Sequence, residues 1–187
     1  TGATKEGKLT AQQIKIYWDT GAYATFGPRV NYNAGFASNG PYHIPNSFVD
    51  SYCLVSNKSL GTAYRGFGIT EVAFAHETQM DALADKLDID PLTFRLMNTL
   101  RDGLENVAGE VMQNVGVSEC LERAANAIDW FDGPLEWTTA EGKHRGKGIA
   151  CFIKLTGTPS TTSVLLRMNN DGTVTLLSGS REMGQGV

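Results

Sequence analysis

The 187 residues are 41% hydrophobic and 19% charged, with 21 glycines and 6 prolines, which is ordinary globular composition and excludes disordered, collagen-like and coiled-coil chains. Sixteen basic residues against twenty acidic ones give a formal charge of −4, which argues against a surface built to neutralise nucleic-acid phosphates. No run approaches the roughly eighteen apolar residues of a membrane helix, and the N-terminus has no basic segment followed by an apolar stretch, so neither anchor nor export signal is read.

The first residue is Thr1 rather than methionine, and Val187 follows a glycine-rich turn; we expect a piece of a longer polypeptide. Cys53, Cys120 and Cys151 are far apart, form no CxxC pair and suit neither an iron–sulfur cluster nor a structural zinc. Reduced, mostly buried thiols are expected, and with them the cytoplasm.

In chain order, residues 12–18 alternate as a half-buried strand and are broken by Asp19-Thr20-Gly21-Ala22-Tyr23. Residues 26–42 are rich in Gly, Asn and aromatics without a period and read as loop with one short helix. Residues 48–55 form a second strand. The turn-rich stretch 61–68 opens onto a helix over 71–87, with Thr70 as its cap, Glu71 in its first turn and Val72, Ala75, Met80, Leu83, Ala84 and Leu87 on one face. Asp90-Pro91 starts a second helix over 92–100. Ser118 starts a third, with Cys120, Leu121, Ala124, Ala125 and Ile128 as its apolar stripe. Residues 136–147 are polar and read as a surface connection. Strands follow over 148–155, 163–168 and 173–177, the last two joined by an Asn-Asn-Asp-Gly turn at 169–172. The fold class is α+β, mixed sheets with packed helices, divided into 1–132, a connection at 133–147, and a strand-led part at 148–187.

Two glycine-flanked stretches carry the chemistry. In the first, Gly61-Thr62-Ala63-Tyr64-Arg65-Gly66-Phe67-Gly68, an Arg and an aromatic ring stand between glycines just before a helix N-terminus. Glycines admit a ligand to the backbone, a helix start offers free N–H groups, and Arg65 can grip an oxyanion with two hydrogen bonds. The same residues, taken alone, also make a tight turn with a solvated Arg and a core Phe. In the second, Ser178 to Gly186, Gln185 presents a carboxamide between two glycines, suited to the edge of a heterocycle; a turn with a solvated Gln is the plainer reading. His43, His76 and His144 lack metal-ligand spacing, Glu77 and Asp81 are an i, i+4 pair on a solvated helix face, and no nucleophilic triad or phosphate loop is present.

Their order and distance add a further signal. Arg65-Gly66-Phe67-Gly68, then Glu77 and Asp81, Asp90-Pro91 with Arg95 and Asn98, and later Glu182-Met183-Gly184-Gln185-Gly186 together resemble the molybdenum hydroxylases, the family of xanthine dehydrogenase and aldehyde oxidase. Asp19-Thr20-Gly21-Ala22-Tyr23 and Pro41-Tyr42-His43-Ile44-Pro45-Asn46 look like landmarks of the same family, so the resemblance spans the chain. It implies the middle of a two-region molybdopterin-binding large subunit: 1–132 from the first region, 148–187 the start of the second. It also implies that Arg65 lies at the molybdenum centre without ligating it. Arg65, Gly66, Met183, Gly184 and Gln185 would contact the cofactor, and Phe67 would stack on substrate. Asn33 stands twelve residues before Pro45, where xanthine-oxidising members carry a substrate-binding arginine. Loss of that charge-assisted partner, worth about 1.5–3 kcal/mol, favours another N-heterocycle or an aldehyde over xanthine.

The implied reaction is hydroxylation with water as oxygen source, electrons leaving through iron–sulfur clusters and FAD on other domains or subunits of a dimerising heteromer. The cofactor would be molybdopterin as its cytosine dinucleotide. The family's upstream glycine-rich loop, its glutamine near the metal and its late general-base glutamate are not among these residues, so no catalytic residue is assigned and the active site is incomplete. The alternatives are a non-catalytic interaction module derived from such a subunit, or a carbon monoxide dehydrogenase-like subunit, whose cysteine-bearing loop Arg65-Gly66-Phe67-Gly68 lacks.

Overall fold

A computed structural model describes residues 1–154, 162–180 and 182. A short strand β1 (Gly2–Ala3) pairs antiparallel with β2 (Leu9–Asp19), and β2 pairs in parallel with β3 (Asn46–Leu54), Ile14 opposite Val49 and Ile16 opposite Ser51. Parallel neighbours need a crossover, and here it is α1 (Gly27–Ala37), with Pro28 in its first turn. Residues 26–42, expected as loop with a short helix, therefore hold an eleven-residue helix. Its buried face is Val30, Asn31, Asn33, Ala34, Gly35 and Ala37, too small and too polar to give an apolar period. The small residues let it lie close to the sheet: a Cβ on Gly35 would stand 3.1 Å from that of Ser51. Alternation along β2 sends Ile16 and Trp18 toward Ala34, Ala37, Ile69 and Val72. Tyr17 lies on the other face, stacked on Tyr52 at 5.3 Å between ring centroids.

Helix α2 (Ile69–Leu87) begins two residues earlier than expected, and its N-cap is Gly68 in the left-handed region. Thr70 caps nothing; its hydroxyl donates to Glu71. The buried stripe is Ile69, Val72, His76, Glu77, Met80 and Ala84, while Ala75 is exposed. Helix α3 (Pro91–Asn98) starts as expected, Asp90 accepting from the Thr93 N–H at 2.8 Å. The second Asp90 oxygen takes the Trp130 indole N–H at 2.9 Å, which ties the cap to helix α4 (Val117–Ala127) and the cluster of Leu92, Leu121, Ala125 and Trp130. Cys120, placed on the apolar stripe of α4 from sequence, is exposed, and Cys53 and Cys151 are only partly buried, so the thiols are free but not mostly buried. The main core joins Leu9, Tyr42, Ile44, Met80, Ala84 and Phe94, each large side chain contributing about 1.5–3 kcal/mol.

Glu77 is the chief departure from expectation. Read as solvated, it is 6% exposed and lies beside the fully buried Arg95. Arg95 Nε donates to Glu77 Oε2 at 2.8 Å, and Arg95 Nη2 reaches Asp81 at 2.7 Å. The Tyr42 hydroxyl donates to Glu77 Oε1 at 2.5 Å, and the Cys151 main-chain N–H to Glu77 Oε2 at 2.9 Å. A His76 ring nitrogen faces the Cys151 carbonyl at 3.2 Å. Both main-chain groups of Cys151 are thus met by side chains of α2 and not by a neighbouring strand, and the described residues 148–154 form no strand, contrary to their pattern. Burial opposes the Arg95 charge, but Tyr42 and Glu77 outweigh it and hold its pKa above the ordinary value. Burial lowers the pKa of His76, keeping it neutral. Burial, then Glu77, push the Cys151 thiol up to about 12.

Residues 136–147, expected as a connection, form an exposed antiparallel hairpin of β4 (Glu136–Thr138) and β5 (His144–Gly146). The chain divides into two compact units, Thr1–Ile153 and Lys154–Val187. In the second, β6 (Val164–Met168) and β7 (Val174–Ser178) make the expected hairpin, closed by the Asn169 N–H on the Thr173 carbonyl at 2.8 Å. The observed mixture of packed helices and small sheets is the α+β class expected. Among the described residues no helix is long and apolar enough to cross a membrane.

Replacing Arg95 by Met would strand the Glu77 carboxylate in the core, at a cost of about 3–5 kcal/mol. Amide hydrogen exchange on the intact parent subunit should then quicken through α2 and α3, and unchanged exchange would show that the ion pair holds nothing. Among the three cysteines a maleimide should label Cys120 first and Cys151 last, as followed by mass spectrometry.

Candidate functional site

The turn that carries Arg65 is reached from the end of β2. Asp19 Oδ1 accepts the Ser56 hydroxyl at 2.7 Å and the Gly21 N–H at 3.0 Å, and Oδ2 pairs with Lys58 at 3.0 Å. The Ser56 and Gly21 hydrogen bonds, with Lys58, hold the carboxyl at a pKa of about 2, so it is ionised at any physiological pH. Asp19 thereby fastens the segment after β3 to the end of β2. The Gly61 N–H on the Thr20 carbonyl at 3.0 Å continues that seam, and a Cβ on Gly61 would sit 2.7 Å from the Asp19 carbonyl oxygen. The Thr20 hydroxyl, fully buried, holds the carbonyls of Tyr23 and Ala24. The Asp19-Thr20-Gly21 landmark is therefore a structural joint, placing residues 21–27 and 56–62 side by side.

Gly66, Phe67 and Gly68 follow, all in the left-handed region, with φ of 91°, 55° and 91°. For Phe67 this costs about 1–2 kcal/mol, and the contacts around it must hold it there. A Cβ on Gly68 would lie 2.7 Å from the Val30 carbonyl oxygen and 3.0 Å from the Ala34 Cβ, so the turn is pressed against α1. Asn33, 5% exposed, donates from Nδ2 to the Phe67 carbonyl at 2.7 Å. The Phe67 ring meets Phe26 edge to face at 6.4 Å between centroids, and Phe26 is held by its N–H on the Thr62 hydroxyl at 3.3 Å. Arg65 is exposed, its guanidinium over the 89%-exposed Tyr64 ring at 5.7 Å.

The structure thus brings together Arg65, Gly66, Phe67 and Asn33. Met183, Gly184 and Gln185 lie outside the described residues. His76, Glu77, Arg95 and Asn98 do not reach this turn. Asn98 accepts the Leu9 N–H at 2.9 Å and donates to the Gly7 and Phe94 carbonyls, so it too is a joint of the core. Phe26 carries no signal in the sequence, standing just before Gly27-Pro28 in an unpatterned stretch, and Thr62 lies in the glycine-flanked stretch with nothing to mark its task. The Asn33–Phe67 bond spans thirty-four residues and was equally hidden. A Phe between two glycines did carry a hint of left-handed backbone.

Chemically, the turn offers an exposed cation, a flat half-buried ring, and the N-terminus of a nineteen-residue helix that no side chain caps. Among the described residues nothing accepts from the main-chain N–H groups of Gly66, Phe67 or Gly68. That donor set fits an anionic, oxygen-rich group beside a planar molecule.

Residues 1–99 and residues 123–187 match two family models, each of a molybdopterin cofactor-binding domain. The chain belongs to that family. The resemblance to the molybdenum hydroxylases holds, and this is a piece of one of their large subunits, as the two successive cofactor-binding regions imply. The nicotinate dehydrogenase large molybdopterin subunit of Eubacterium barkeri is 43% identical over 125 residues, 66% of this chain and 29% of that protein. The xanthine dehydrogenase molybdenum-binding subunit of Escherichia coli O157:H7 is 32% identical over 195 aligned positions, 100% of this chain and 26% of that protein. The crystal structure of the aldehyde oxidoreductase from Desulfovibrio desulfuricans superposes with a TM-score of 0.74 at 27% identity, covering 93% of this chain and 19% of that one. The molybdenum hydroxylase piece thus spans under a third of the curated relatives it matches.

Gly68→Ala should be the most damaging small change at this turn, since it meets both the left-handed backbone and the Val30 carbonyl. We expect Gly68→Ala to lower the thermal midpoint of the parent subunit by several degrees while Tyr64→Ala leaves it unchanged, both read by calorimetry.

Proposed function

We propose that the subunit containing this chain hydroxylates an activated carbon of an N-heterocycle, purine- or nicotinate-like, or of an aldehyde, with water as the oxygen source. The observation that carries this reading is the turn from Arg65 to Gly68, which presents a guanidinium and a ring from one strained backbone at an uncapped helix start. Molybdenum with its pterin, as the cytosine dinucleotide, would supply the two-electron oxidation when bound. Arg65 donates hydrogen bonds to the oxyanions of that group without ligating the metal, and Gly66 lets it approach the backbone. Met183, Gly184 and Gln185 would contact the pterin. Phe67 stacks against a planar substrate, shielding it from water on one face, and Asn33 belongs to the wall behind it.

No residue of this chain holds or moves the reaction's proton in this reading, and the general base comes from elsewhere in the subunit. Electrons pass to iron–sulfur and FAD partners in a cytoplasmic heteromer that dimerises; three free cysteines, none of them paired, suit a reducing compartment. The relative named for nicotinate, at 43% identity, supports a heterocyclic substrate. Asn33 in place of an arginine weakens the case for xanthine.

Metal and pterin analysis of the intact complex, followed by a panel of heterocycles and aldehydes, tests the proposal. Arg65→Ala should lower molybdenum content. Phe67→Ala should leave the metal bound and cut turnover of aromatic substrates by about tenfold or more, the scale of one lost stacking contact. Full molybdenum and unchanged rates in both variants would remove the assignment.

A further inference from the structure

Phe67 is the one aromatic residue of the described chain with a left-handed backbone, and its carbonyl takes no part in the start of α2. The Ile69 N–H goes to the Gly66 carbonyl and the Val72 N–H to that of Gly68. The Phe67 oxygen is left to Asn33 Nδ2, at 2.7 Å. Three features make this bond directional. Asn33 is 5% exposed, so its amide cannot swing into solvent. It sits on α1 one turn after Val30 and beside Ala34, the residues that abut Gly68, so the amide and the wedge under Gly68 belong to one rigid helix face. The ring that the bond orients is itself braced by Phe26.

We propose that Asn33 is a positioning residue: by holding the Phe67 carbonyl it fixes the backbone rotation that aims the Phe67 ring, and it acts on substrate through that ring rather than by touching it. This rests on Phe67 being the substrate's stacking partner, and it goes further by assigning a task to the position where an arginine would meet substrate directly. A site built this way selects for flatness. Its discrimination at this wall comes from ring contact and not from a charge, so flat heterocycles and aromatic aldehydes are accepted for their shape, while a substrate needing a cation at this wall gains nothing from it.

The test uses the molybdenum-loaded parent complex with Asn33→Asp, which keeps the shape and deletes the donor, and Asn33→Ala, which deletes it without adding charge. Amide exchange over residues 65–72 should quicken in both variants while exchange in α3 and molybdenum content stay as in the unaltered complex. Unchanged exchange at the turn overturns the proposal whatever the kinetics show, as does a loss of protection spread equally through α3. Kinetics with nicotinate, hypoxanthine and benzaldehyde supply the second arm: KM for the substrate accepted should rise about tenfold with a smaller change in kcat. In the Phe67→Ala background the Asn33→Asp change should then have no further effect. Additive losses in the double variant would show that Asn33 meets the substrate itself and overturn the proposal. If Phe67→Ala alone changes no rate, the stacking reading fails separately, and the role of Asn33 in substrate selection fails with it.

Discussion

A carboxylate removed from water has to be neutralised where it lies, and much of the first unit is arranged around meeting that need for Glu77. Arg95 supplies the charge, the Tyr42 hydroxyl and the Cys151 N–H supply further donors, and His76 next in sequence takes the Cys151 carbonyl. The donors to Glu77 come from three stretches far apart in the chain, the segment before β3, α3, and the residues after β5, and all of them converge on α2. None can move without leaving polar groups unsatisfied in the core, which is a harsher penalty than loss of an apolar contact. The ion pair adds little net stability over a well-packed apolar substitute; its contribution is to admit one arrangement of these stretches.

That arrangement sets where the functional turn can be. Helix α2 is pinned in its middle by His76 and Glu77 and is continuous to Ile69, so its first residue is fixed in space. Two other restraints meet it there. Asp19 and Thr20 bring in the chain from the end of β2, and α1 presses from the side with Val30, Asn33 and Ala34. Between a fixed helix start and a fixed loop, the chain spans the gap by turning through the left-handed region at residues 66–68. The glycines make that turn accessible, and the Asn33 amide holds the one non-glycine in it.

The parts of this structure that were legible in the sequence are those governed by local rules. Asp90-Pro91 announces α3 because capping and proline geometry act over three residues, and the Asn-Asp-Gly turn announces the β6–β7 hairpin for the same reason. The Arg65–Gly68 site could be found because glycines and a cation in a short span state their chemistry outright. Non-local pairing hid the rest. Glu77 looks solvated until Arg95 is placed against it, eighteen residues on. Helix α1 has no apolar stripe because its buried face packs through small residues and two asparagines, each bonded to a distant backbone group. Residues 148–154 carry a strand pattern, yet what meets Cys151 is a pair of side chains and no neighbouring strand.

The edge-to-face contact of Phe26 and Phe67 joins two loops whose tolerance to change is very different. Phe67 is bound into a backbone that two glycines and a buried amide prescribe, so Gly66 and Gly68 on either side of it have little room for a side chain. Phe26 stands at the start of α1 with about half its surface in solvent, its main chain held by the Thr62 hydroxyl and its ring touching Phe67. A lineage, or a designer, wishing to admit a larger or more polar heterocycle would find its freedom at residue 26, where a side chain can be exchanged without re-routing the chain. One wall of the site is held by mechanics, and the ring that leans on it is the adjustable part.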